Sequence, residues 1–302
     1  MRSGVATLRL CLKERGLNMS EVVYLADFFV EDKLAGGAEM SDAAIIEHLN
    51  IPIKRVRYNE IEEVDRDCFY IVANRSLFRP KILDKLTYYK NYIIVEHDYQ
   101  FVSGPGNGRN PYMFEDGIVP PMYKSQLDFY KNAKAVFFQT GLQKSLFEQN
   151  KVEGNFISLC TTPYSNSEFA FFRKLVRENQ GPRTRKFAVM ESPKEIKNTK
   201  GAVDYCIKAK LDFAMIPPMD RESFLSKLAE YSALVFFPMT PESCSRLATE
   251  ARILGLNMIT PPIYGAPGED WFSLTGEKLV DELERITVDK SIPAIKEYLP
   301  NG

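Results

Sequence analysis

The chain has 302 residues and a formal net charge of -1; 45% of it is hydrophobic and 26% charged. That is too long for one typical domain and comfortable for two with real cores, and the near-zero charge gives no global pull toward nucleic acid or an anionic membrane. Five scattered cysteines, Cys11, Cys68, Cys160, Cys206 and Cys244, form no CxxC pair. Neither a disulfide framework nor a zinc site is indicated, and a reducing, cytoplasmic setting fits best.

No apolar run approaches the length of a membrane span. Residues 1–19 lack the long apolar core of a signal peptide and read as a mobile leader, with Met19 an alternative start to Met1. Residues 21–26 (EVVYLA) read as a first buried strand, followed by Gly36-Gly37-Ala38-Glu39 and a helix over 40–49. A short strand is predicted at 54–58, a buried one at 68–73, a helix at 80–90 and a strand at 92–95 that ends in Glu96-His97-Asp98. The Gly-, Pro- and Asn-rich segment 100–120 is loop. A helix at 121–132, a strand at 135–139, a helix at 141–149 capped by Thr140 and a strand at 155–159 complete the first series. The pattern changes over 161–185 to Thr, Pro, Ser and Asn, then a charged helical piece, then Gly-Pro-Arg-Thr-Arg, which together read as the interdomain connection. A second series follows: strand 186–190, a polar loop to Lys200-Gly201, helix 202–210, strand 213–216, helix 220–231, and the apolar run 233–237 that begins the next unit. A helical tail runs over 279–299. This alternation predicts two parallel α/β sheets in series.

Ligands of such sheets bind beyond the carboxyl ends of the strands. Glu242 lies in the loop after the run 233–237, and Glu250 stands eight positions later in the helix that follows. Two glutamates taken at random would be solvated helix charges; these two stand at the ligand-facing end of one α/β unit. Between them, Ser243, Cys244, Ser245, Arg246 and Leu247 offer backbone N–H groups at a helix N-terminus, which suits a diphosphate. Lys194 and Lys200 flank the loop after strand 186–190. They could neutralise a leaving diphosphate, with Lys197 a competitor for that role, although lysines are also ordinary loop residues. Gly36 and Gly37 let the backbone approach a phosphate or sugar closely, or simply make a turn. His97, one of two histidines, ends a buried strand between two acids and is a candidate for binding a substrate hydroxyl; His48 reads as structural. The loop 104–109 is glycine-rich but lacks the Lys-Ser/Thr of a nucleotide triphosphatase, so it reads as an acceptor-side loop. Tyrosines and lysines interleave over 79–92, where a helix half buried and half solvated explains them.

The E-x7-E pair Glu242 and Glu250, followed by Ala251 and Gly255, with Lys200-Gly201 and Gly36-Gly37-Ala38-Glu39 upstream, resembles the retaining GT-B glycosyltransferases, especially glycosyltransferase family 4. The likeness is good over 186–264 and looser over 22–137. It implies an α/β GT-B fold with two Rossmann-like domains facing a central cleft. Residues 1–165 would form the acceptor side, 166–285 the nucleotide-sugar side, and 286–302 a helix crossing back toward the first domain. By this resemblance Glu250 would bind the donor ribose and Glu242 the transferred sugar. Lys200 and Lys194 would hold the diphosphate, Gly36 and Gly37 would lie by the phosphates, and His97 would contact the sugar. The segment 243–247 would complete the donor site. Glu242, His97 and Lys200 are the expected catalytic residues. No metal and no cofactor are expected, the nucleotide-diphospho-sugar being a substrate. The family's usual Phe-Gly after the first glutamate is replaced here by Cys244-Ser245, and its usual Gly-Arg by Glu191-Ser192.

The implied reaction moves a sugar, with retention, to the hydroxyl of a glycan, a lipid-linked sugar or a small molecule. A viral-type enzyme acting on hydroxymethylated DNA bases is one alternative, which near-neutral charge does not support. A non-catalytic nucleotide-sugar-binding partner subunit is another, motivated by the missing Phe-Gly. A dinucleotide-dependent oxidoreductase ranks last, because no GxGxxG follows any strand.

Overall fold

A computed structural model describes residues 21–33, 36–104, 113–261 and 265–300. The expected leader with Cys11 and Met19, and most of the loop 104–109, lie outside the described residues.

The first sheet has six parallel strands: β1 (Val22–Ala26), β2 (Ile53–Arg57), β3 (Phe69–Val72), β4 (Tyr92–Glu96), β5 (Val136–Phe138) and β6 (Phe156–Ser158), in the order β2-β1-β3-β4-β5-β6. Helices α1 (Gly37–Leu49), α2 (Pro80–Tyr89), α3 (Leu127–Asn132) and α4 (Gly141–Gln149) make the connections. β1, β3, β4 and β5 are buried along their whole length, as apolar runs must be when both faces of a parallel sheet are covered. β2, at the edge, carries Lys54, Arg55 and Arg57 and is the least buried of the six strands.

The second sheet has four parallel strands, β7 (Thr184–Met190), β8 (Phe213–Ile216), β9 (Tyr231–Val235) and β10 (Asn257–Ile259), in the order β10-β9-β7-β8. Around it lie α5 (Asn166–Glu178), α6 (Thr199–Lys208), α7 (Arg221–Leu228), α8 (Arg246–Ile253) and α9 (Gly276–Ile286). The segment read as the interdomain connection contains α5, the charged helical piece expected there, and α5 is also a core element. Its capping box, Ser165 with Glu168, starts it, and Phe169, Phe172 and Leu175 at helical spacing enter the second core. Its charged face pairs with α9 through Arg173 to Asp281 and Glu284, and Arg177 to Glu277.

The tail is helical from Gly276 to Lys296, with one wider turn inside it. After α9, Thr287–Ser291 forms a wider π-helical turn, where the Ser291 hydroxyl donates to the Leu159 carbonyl at 2.8 Å. Then α10 (Ile292–Lys296) lays Ile292 and Ile295, with Leu299 beyond it, against the first sheet beside Ile71, Val95 and Phe137. No helix among the described residues is long and apolar enough to cross a membrane.

Candidate active site

In each sheet all strands run the same way, so all carboxyl ends gather on one edge, and the loops from the two edges meet. Thr140, the N-cap of α4, donates its hydroxyl to the Ser243 carbonyl at 2.5 Å. The Ser243 hydroxyl donates to Gln139 Oε1 at 3.2 Å. The Gly141 N–H donates to Glu269 at 2.8 Å, and Arg246 Nη1 lies 3.4 Å from the Ser41 hydroxyl on α1. Gly37, in the first turn of α1, faces the stem of Arg246 so closely that a Cβ there would sit 3.2 Å from Arg246 Cδ. The N-termini of α1 and α8 therefore meet across the boundary, with Gly36 and Gly37 on one side and Ser245, Arg246 and Leu247 on the other. The Gly36 turn is fixed by Glu39, which accepts the Gly36 N–H at 2.7 Å and the Asn74 amide at 3.1 Å.

Glu242 lies at the mouth of this meeting point and accepts from Lys197 Nζ at 2.7 Å, the glutamate 15% and the lysine 27% exposed. The short turn carrying Lys197 is stitched to the Glu242 loop by the Met239 N–H donating to the Ile196 carbonyl at 2.9 Å. Lys194 and Lys200 are exposed and have no acidic partner among the described residues. Of the three lysines, the structure brings Lys197 to the acid, and leaves the two favoured by sequence spacing at the surface. Lys200 lies in the first turn of α6, whose Gly201 N–H is capped by the Asn198 side chain at 3.0 Å.

Glu250 is nearly buried within α8. Arg221 Nη2, from the first turn of α7, donates to its Oε1 at 2.5 Å and also reaches Glu168 Oε1 at 3.0 Å. Arg246 forks onto Glu168 at 2.8 and 3.0 Å, and its guanidinium lies 4.1 Å over the Tyr164 ring. Its Nε is buried without a hydrogen-bond partner, 3.9 Å from Glu250. Burial works against the charge of Arg221, but Glu250 and Glu168 outweigh it and hold the Arg221 pKa above its ordinary value. Glu168 and Arg221 were not singled out from sequence. Their signals there were only a capping box and an arginine just after a strand end.

The five residues between the acids divide. Cys244 is fully buried in the second core, and burial pushes its thiol up to about 12. The site takes packing from that side chain. Ser245 sits at φ 62°, in the left-handed region, and its hydroxyl caps the Ala248 N–H at 3.5 Å. Arg246 and Leu247 open α8, where first-turn N–H groups have no intrahelical acceptor.

His97 is buried at the end of β4 with both ring nitrogens engaged. Nε2 lies 2.6 Å from Asp42 Oδ1, which also accepts the Tyr24 hydroxyl at 2.6 Å. The Gln139 amide nitrogen, which can only donate, is 2.8 Å from Nδ1. The ring proton is therefore on Nε2, toward Asp42. Burial disfavours the imidazolium, but the Asp42 carboxylate outweighs it and holds the His97 pKa above its ordinary value. His97 reaches the Ser243 loop through Gln139, and offers no free ring nitrogen to a sugar in this arrangement. No group of three or more His, Cys, Asp or Glu is placed to hold a metal ion among the described residues.

No family model matches the chain, and no curated protein sequence matches it significantly. Solved structures do. Trehalose-6-phosphate synthase OtsA superposes with a TM-score of 0.56 at 10% identity, over 92% of this chain and 97% of that one. Sucrose-phosphate synthase from Thermosynechococcus elongatus gives 0.51 at 11% identity, over 93% and 95%. Anabaena HepE in complex with UDP and glucose gives 0.50 at 11% identity, over 93% and 95%. Two parallel-sheet domains meeting at their strand ends, matched over nearly the whole chain, have the GT-B architecture.

Proposed function

We propose that this protein is a glycosyltransferase that uses a nucleotide-diphospho-sugar, a retaining enzyme of the family 4 kind. The observation that carries the reading is the placement of Glu242 with Lys197, 2.7 Å apart, in the loop that leads into α8, whose first residue, Arg246, packs against Gly37. In that space the α8 N–H groups and Lys197 would meet a diphosphate, Glu242 would accept from sugar hydroxyls, and Glu250 from the ribose. Solved relatives of the fold are a trehalose-6-phosphate synthase, a sucrose-phosphate synthase and a protein complexed with UDP and glucose, which supports a sugar nucleotide as donor. In the front-side reaction the bond from the anomeric carbon to the phosphate oxygen breaks. The acceptor oxygen bonds to that carbon from the same face, and its proton passes to the departing phosphate. Lysine and helix N-terminus stabilise the charge that develops there, the task a metal ion performs in other transferases. The acceptor hydroxyl would enter from the first domain.

One observation favours a second reading, a subunit that binds the donor without turning it over: both acids already carry a cationic partner. Release of nucleoside diphosphate from UDP-glucose and other sugar nucleotides, with chelator present, decides between them. Turnover that Glu242→Ala and Lys197→Ala each cut about a hundredfold or more supports the enzyme. Binding of sugar nucleotides without turnover under any acceptor supports the subunit.

A further inference from the structure

Resting on that reading of the donor site, we propose that Arg221 is a latch on the ribose subsite, occupying Glu250 in the free protein and displaced when a nucleotide binds. The Glu250 side chain is only 7% exposed, and Arg221 takes its Oε1 at 2.5 Å. A carboxylate so nearly buried keeps a donor, and a ribose diol that takes both Glu250 oxygens needs the place the Arg221 N–H holds on Oε1. The exchange strands no charge. Arg221 Nη2 also lies 3.0 Å from Glu168 Oε1, its guanidinium lies 5.5 Å from the Phe172 ring and its side chain is 27% exposed, so on leaving Glu250 it can pivot toward Glu168 or solvent. Its base is fixed, because Asp220 caps α7 through the Ser223 N–H at 2.9 Å, so the movement is confined to the side chain. Arg246 cannot play this part: its side chain is 9% exposed, forked on Glu168 and stacked on Tyr164. The three charges around Glu250, those of Glu168, Arg221 and Arg246, thus include one fixed guanidinium and one that can leave.

A latch taxes affinity by the fraction of molecules in which it is open; if it is closed in about nine of ten, removing it tightens binding about tenfold. Calorimetric titration with UDP and with inorganic pyrophosphate tests this on wild type, Arg221→Gln, Arg221→Lys and Glu250→Gln. UDP carries a ribose and pyrophosphate does not. The latch predicts that Arg221→Gln binds UDP about tenfold tighter and pyrophosphate unchanged within about twofold, with Arg221→Lys between wild type and Arg221→Gln for UDP. Matched melting curves confirm that each variant is folded, and the lysine variant, which retains the charge, carries the test if the glutamine variant is not. If Glu250→Gln weakens UDP but neither Arg221 variant tightens it, the latch is wrong and the donor site stands. Weaker binding of both UDP and pyrophosphate in Arg221→Gln makes Arg221 a phosphate ligand and also refutes the latch. If UDP binds nowhere, or Glu250→Gln binds it as wild type does, the donor-site reading fails and the latch with it.

Discussion

Gln139 and Ser243, 104 residues apart, are hydrogen-bonded across the domain boundary at 3.2 Å, and the same amide holds His97 at 2.8 Å. His97 is therefore coupled to the Ser243 loop through one side chain. Protonating His97 at Nδ1 would require the amide to turn, making Ser243 an acceptor instead of a donor. Gln139→Ala should cost about 1 kcal/mol of stability, the ordinary worth of such bonds. It should also slow turnover with little change in nucleotide affinity, since Glu250 and Lys197 are untouched. Denaturant melts alongside steady-state kinetics check both.

Lys197→Ala should lower donor turnover about a hundredfold, the usual effect of removing one fixed group that stabilises developing charge. Lys194→Ala and Lys200→Ala, which change exposed side chains, should each have a much smaller effect. A Lys200 variant more damaged than the Lys197 variant would restore the role that sequence spacing suggested.

Ser245 holds a left-handed backbone that glycine adopts freely. Ser245→Gly should leave the melting temperature unchanged or raise it, because relief of strain offsets a cap worth only a few tenths of a kcal/mol over glycine. Ser245→Val, β-branched and without a cap, should cost about 1–3 kcal/mol by chemical denaturation.

Gly265 leaves no room for a side chain: a Cβ there would lie 1.9 Å from both the Ser243 carbonyl and the Thr140 hydroxyl. Gly265→Ala must push apart the contact between the two domains. A loss of more than about 2 kcal/mol is expected, with faster proteolysis of the connecting segments.

Burial pushes the Asp27 carboxyl up from 3.8 to about 6, even though it accepts the Ser76 and Leu77 N–H groups. The folded state then holds a proton that the unfolded state has released, so this group's contribution is full below pH 3.8 and is lost as pH rises toward 6. Relative to Asp27→Asn, the wild type should lose stability over that window and plateau above it. Melting temperatures of the pair across pH 4 to 7 measure the difference.

The fold was legible because parallel strands buried on both faces announce themselves as apolar runs; VVYLA, FYIV and YIIV need no context. The E-x7-E spacing was legible because a loop and one helix fix it locally. What sequence could not give was the partner of each acid. Three lysines within seven residues, Lys194, Lys197 and Lys200, are equivalent by spacing, and only the stitching of Ile196 to Met239 selects among them. Arg221 and Glu168 reach Glu250 and Arg246 from helices far away in the chain, so no local pattern contains them. α5 reads from sequence as a charged helical piece because its polar face dominates its composition; the apolar stripe that makes it a core element is only three residues wide.

The helix that closes the first sheet is made after the second domain. Ile292, Ile295 and Leu299 cover a face formed by strands that end at Ser158, so a growing chain on the ribosome carries that face uncovered while the whole second domain is synthesised. Neither half is then a separable module. Fragments ending before Ile292 should expose Ile71, Val95 and Phe137 and associate, and addition of a peptide spanning 287–300 should suppress that association.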